Sequence, residues 1–233
     1  MFRLMRNLIR KFKNIPEEKK IIWYGRLSFF KNLFYFLFKI LVGFIYRSYF
    51  LIVIAIYSLF IGYVKENCSR GLKKNKENIL DIYSYIRGGV VLSISSLFYI
   101  AYTIVQIFYP SNFQYNMIIA IAIAAFAFYS IVMSIIGVVK ARGKTMLIKE
   151  YKLTNFATAF NNIVLAQIAI LSFTTSENMA IYNGVIGVVV GVIVLGIGLY
   201  LVIDGMIKKK KYYQITKKYP AILDYINDTE KTS

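Results

Sequence analysis

Histidine is absent from the chain, cysteine occurs once and proline only three times. Without imidazole there is no histidine metal ligand and no histidine acid–base chemistry. The lone Cys68 sits in a basic stretch and cannot close an internal disulfide, so no oxidative staple holds the fold. Acids are scarce too, 11 against 29 basic residues, which leaves a net charge of +18. The usual catalytic signatures are missing. There is no HExxH, no GxSxG and no pair of metal-binding cysteines, and no two acids share a helix face inside an apolar run. Gly88-Gly89 opens an apolar run without the Lys-Ser/Thr of a phosphate loop. No cofactor is implied, and nothing in the pattern points to an enzyme.

What the chain has in quantity is apolar surface. Hydrophobic residues make up 58% of its 233 positions, and the mean hydropathy is +0.56. A single soluble core of this size cannot hide so much apolar side chain, so lipid must cover part of it. Two runs are decisive: Gly88 to Tyr109 holds 22 residues without a charge, and Tyr115 to Val139 holds 25. As helices rising about 1.5 Å per residue, both cross a hydrocarbon layer of about 30 Å. The link between them carries no Lys or Arg, whereas Arg87 and Lys140 flank the pair, so both ends of this hairpin belong on the cytoplasmic side.

The same bookkeeping extends along the chain. Nine basic residues fall in 1–31, six in 65–87, five in 140–152 and seven in 208–233. Six spans, arranged as three hairpins with both termini cytoplasmic, put all of these clusters on one side of the cell membrane. The fold class is therefore an all-α polytopic bundle. Residues 1–26 form a basic amphipathic segment at the membrane surface, 27–207 the transmembrane domain and 208–233 a basic cytoplasmic tail. The run from Leu27 to Tyr46 contains Lys31 and Lys39, so five spans plus an interfacial helix is the alternative. Residues 66–87 read as a polar connection, and 140–152 as a basic loop. The basic residues flank apolar runs instead of covering a soluble face, so they suit anionic lipid headgroups and not nucleic acid.

Inside the spans, Ser95, Tyr99, Tyr102 and Gln106 recur on one helical face, with Ser96 and Thr103 beside them. Hydroxyls and amides within a membrane must face other helices, water or a ligand. These four, with Asn162 and Gln167 on a later run, are the candidates to line a solute site; interhelical hydrogen bonding is the competing reading. A second pattern is built from small residues. Ala120, Ala124 and Ala127 share one face, and Gly184, Gly191, Gly198 and Gly205 recur every seven residues with Gly187 close to the same line. Small faces of this kind let helix backbones approach, within the molecule or toward a second copy or partner subunit. Asp204, the only acid near the inner end of a span, is expected to pair with one of Lys208 to Lys211 at the interface. In size and topology this plan is similar to the substrate-binding subunits of energy-coupling-factor transporters, though it carries none of their sequence motifs. Two functions follow as expectations: a small-solute transport component without its own ATPase, or a non-catalytic accessory protein that packs against a partner.

Overall fold

The computed structural model describes residues 19–22, 30, 33–34, 36–37, 40–41, 44, 49–73, 79–108, 117–174 and 180–218. The rest of the expected N-terminal segment, most of 27–48, the links 109–116 and 175–179 and the tail from 219 lie outside the described residues. The six-span count and its five-span alternative both turn on 27–48, and so lie largely outside them as well.

Among the described residues five long helices are delimited: α1 (Tyr49–Lys73), α2 (Ile79–Phe108), α3 (Met117–Lys140), α4 (Met146–Thr174) and α5 (Ala180–Lys218). Four stretches within α2 to α5, Asp81–Phe108, Ala120–Lys140, Met146–Leu171 and Ile181–Lys218, are long and apolar enough to cross a membrane. Among the described residues the protein is thus all-helical, as an integral membrane protein requires where backbone groups must be satisfied within each segment.

Neighbouring helices run antiparallel. Gly71 of α1 lies near Asp81 of α2, and Val64 near Gly88; Ser130 of α3 meets Asn162 of α4; Gln167 of α4 meets Asn183 of α5. This alternation collects the charged ends of all five helices at one end of the bundle. The outward faces are bare hydrocarbon, with Ile94, Phe98 and Val105 of α2 and Phe126, Phe128 and Val132 of α3 all exposed. α3 packs only on α4 among these helices, whereas α2 touches three others and α4 touches all four.

Two expected loops prove to be largely helix. Residues 66–73 continue α1, so the polar connection is shorter than the charge pattern suggests, and Cys68 is buried on a helix instead of lying in a loop. Likewise α4 begins at Met146, which places Lys149 and Lys152 on the helix and leaves Ala141–Thr145 as the turn from α3. Gly143 makes that turn at φ 75°, in the left-handed region that other residues resist. Charged residues misled the reading because helices run past the hydrocarbon into water without unwinding; α5, at 39 residues, is about twice the span minimum.

The seven-residue glycine repeat explains the most extensive helix contact, α2 on α5. Gly184 faces Ile107, Gly187 faces Thr103, Gly191 faces Ile100 and Gly205 faces Ile86, all on α2. At the centre the two backbones touch. A Cβ on Gly89 would lie 2.9 Å from the Gly198 carbonyl oxygen, and one on Gly198 would lie 2.8 Å from the Ser93 amide nitrogen. A strict seven-residue period keeps such a seam facing its partner along the whole contact.

Candidate functional site

At the charged end, α1, α2 and α4 close around a carboxyl group. The face of α4 that carries Leu147, Glu150, Thr154 and Ala157, at spacings of three and four residues, is buried throughout, and Glu150 is fully enclosed. Room for it comes from α2. A Cβ on Gly88 would collide with Glu150 Oε1 and fall 2.8 Å from the carboxyl carbon. The Val64 side chain of α1 walls the same space, its Cγ1 lying 3.3 Å from that Cβ position.

From α1 the Cys68 thiol faces the carboxyl, yet neither Glu150 oxygen has a partner of standard hydrogen-bond geometry among the described residues. Stranding a buried polar group costs about 1–3 kcal/mol, and a charged one considerably more. Burial first, and then the Glu150 carboxyl, push the Cys68 thiol well above its ordinary value, so it is a poor nucleophile. Lys65 is buried on the same helix. The ion pairs described join Glu66 to Arg70 and Asp204 to Lys149 and Lys208, and none reaches Glu150. Ile21 packs with Val64, Cys68, Leu147 and Tyr151, and Ser69 Oγ donates to the Ile22 carbonyl at 2.9 Å. Residues 19–22 thus cover the group from the basic end.

Further polar atoms without partners continue into the bundle. Thr154 Oγ1 lies one helical turn beyond Glu150, and the hydroxyls of Tyr57 on α1 and Tyr99 on α2 are equally buried and unpartnered. The two tyrosine rings meet with centroids 5.6 Å apart. Tyr99 stands eleven residues beyond Gly88 on α2, about 16 Å along the axis. Most unpartnered oxygens on these helices therefore form a column through the interior between α1, α2 and α4. Buried polar groups are normally satisfied by protein or by ordered water, so oxygens without a partner among the described residues are the candidates for contact with water or a polar ligand.

Beside the column lies a fully partnered network. The Tyr85 hydroxyl donates to Asp204 Oδ2 at 2.9 Å, and Lys208 Nζ donates to the same oxygen at 2.8 Å. Lys149 Nζ stands 3.7 Å from it, over the Tyr200 ring, and also bonds the Tyr200 hydroxyl. Further along α5, Lys209 lies over the Tyr83 ring. Aromatic rings and lysines interleaved at a helix end are the arrangement expected at a membrane–water boundary.

The candidates read from the sequence are divided by this geometry. Ser95, Tyr99 and Gln106 are buried and Tyr102 half-buried, so their stripe points into the bundle. Ser95 Oγ donates to the Leu92 carbonyl, Ser96 to Ser93 and Thr103 to Ile100, which satisfies these hydroxyls within their own helix. Asn162 donates to Ser130 Oγ at 3.2 Å, tying α4 to α3. Gln167 donates to Asn183 Oδ1 at 3.4 Å, tying α4 to α5. Asn162 and Gln167 are therefore engaged in interhelical bonds away from the Tyr57–Tyr99 pair. Ala120, Ala124 and Ala127 are buried, and the last two cluster with Ala166 of α4. Beside them an apolar groove of about 470 Å³ runs between α3 and α4, lined by Ala127, Phe128, Ile131, Ile163 and Ile170 among others. No α2 residue borders it.

Glu150, Thr154 and Tyr57 are the residues that sequence reasoning missed. A signal was present for two of them: continuing the inward face of α4 backwards from Ala157 through Thr154 reaches Glu150 and Leu147. The surrounding lysines assigned that stretch to a loop and hid it. No protein-family model, no curated protein and no solved structure matches the chain.

Proposed function

We propose that the chain is a six-span membrane transport component, with both termini cytoplasmic, in which the column between α1, α2 and α4 admits water or a small polar solute. The observation that carries this reading is the row of buried, unpartnered oxygens on Tyr99, Tyr57, Thr154 and Glu150. An ionisable side chain inside a membrane bundle ordinarily marks a pathway or coupling site. No described element resembles a nucleotide-binding domain, so ATP-driven work falls to another subunit.

Substituted-cysteine labelling tests this in membranes, on a Cys68→Ser background. A cysteine at Thr154 or Tyr99 reacts with a small charged thiol reagent if the column is aqueous, while one at Gly187, within the α2–α5 seam, stays protected. Protection at both column positions overturns the proposal. Cysteines at Asn112 and Asn178 on the same background react from outside the cell, and reaction only from the cytoplasmic side overturns the topology.

A second reading has its own support. The exposed apolar face of α3, held by one neighbour, offers a surface to a partner subunit or a second copy. An accessory protein would use that face and need no aqueous column, so dry labelling results favour it.

A further inference from the structure

We propose that Glu150 is a proton-exchange site, a buried carboxyl that takes up and releases one proton at the basic end of the bundle. Its role in a transport cycle rests on the reading above; the site itself does not. The side chain is fully buried, neither oxygen has a partner of standard hydrogen-bond geometry among the described residues, and its space exists because Gly88 has no side chain. Only the weak thiol donor of Cys68 faces the group, and no described ion pair reaches it, so a lone carboxylate is costly in that setting. The groups that face it or its immediate surroundings come from three helices. α1 supplies Cys68, with Lys65 acting on that thiol. α2 supplies Tyr85, on which both Glu150 and Asp204 act. α5 supplies Asp204 itself, hydrogen-bonded to the Tyr85 hydroxyl and partly open to solvent.

The two acids share a neighbour. The Tyr85 hydroxyl donates to Asp204, which is partly open to solvent, and Glu150 acts on the same tyrosine without a hydrogen bond to it. In the exchange, hydronium at the Asp204 end gives one proton to a Glu150 carboxylate oxygen and leaves water; the reverse step returns it. Lys149 and Lys208 keep Asp204 charged and paired, so the two acids differ in role: one stays ionised at the boundary, the other switches. Glu66, which pairs with Arg70, and Asp81 are the other described acids at this end.

Infrared spectroscopy of the purified full-length protein in lipid tests the assignment. A protonated carboxyl gives a carbonyl band separate from carboxylate bands. The wild type shows this band at neutral pH, where exposed carboxyls are ionised, and loses it as pH is raised further, while E150Q lacks it. Melting temperature follows the same linkage: the neutral acid stabilises the fold, so wild-type stability falls as pH rises through the carboxyl's transition, and E150Q loses that dependence. Should E150Q fail to fold, Cys68→Ser assigns the band instead, because a stronger donor facing the carboxylate shifts its midpoint to lower pH. No protonated carboxyl at neutral pH, where exposed acids are ionised, overturns the proposal, as does a band that never titrates or one unmoved in both variants. Loss of the band on adding Na⁺ at fixed pH also overturns it, assigning the carboxyl to a metal cation.

Discussion

The α2–α5 seam and the space between α1, α2 and α4 share one helix and follow opposite rules. Along the seam every approach is explained by small residues: glycines admit Ile86, Ile100, Thr103 and Ile107, and the backbones meet at Gly89 and Gly198. Polar groups near it are satisfied locally, as when Ser93 Oγ donates to the Gly89 carbonyl at 2.9 Å. Across α2, the other face meets tyrosine hydroxyls, a threonine and a carboxyl that have no partner of standard hydrogen-bond geometry among the described residues. The seam uses its residues for stability. The column tolerates unsatisfied groups that a purely structural interior would replace by hydrocarbon, and such concessions concentrate where proteins function.

The contrast can be broken most sharply at Gly198. Leucine there has no room against the α2 backbone and should cost about 3 kcal/mol or more, read as loss of folded yield in detergent. Gly196, seven residues beyond Val189 on the open side with nothing within 4 Å of an added Cβ, is the matched control, and Gly196→Ala should leave the melting temperature unchanged. Equal damage from both would remove the distinction between seam and surface. Gly191→Ile should likewise harm assembly more than Val192→Ile, whose parent side chain is exposed.

An intermediate effect is expected where a polar group does have a partner. Asn162→Leu strands Ser130 Oγ and should lower stability by about 1 kcal/mol, measured by thermal melting. At Tyr57 and Tyr99 the expected effect is smallest. Phenylalanine removes a hydroxyl whose loss strands no partner, so either change should leave the melting temperature level or slightly raised. A fall as large as that of Asn162→Leu would show that these hydroxyls are structurally bonded, and the column would lose two of its members.

The way these regions became visible also differs. Spans and the glycine seam were readable from spacing alone: a charge-free run of 22 residues has a length, and a seven-residue repeat has a face, whatever the rest of the chain does. That Asp204 would pair with a lysine among Lys208 to Lys211 was readable in the same way, and the structure selects Lys208 and adds Lys149 from α4. The candidate site was only half legible. Tyr99 stood out on its polar stripe, but nothing in the stripe says that Ser95 and Thr103 turn to their own carbonyls while Tyr99 does not.

The sequence by itself therefore determined that the chain is helical with runs long and apolar enough to cross a membrane, where small residues line a face and how the basic residues divide. These are local properties, set by 3.6 residues per turn and by the cost of charge in hydrocarbon. Only the tertiary structure decided that the glycine face meets α2 of the same chain, and that Glu150 is enclosed. Enclosure belongs to no single helix. It needs Gly88 to leave space, Val64 and Cys68 to wall it and α4 to begin two turns before its apolar run, and positions 64, 88 and 150 become neighbours only when three helices pack.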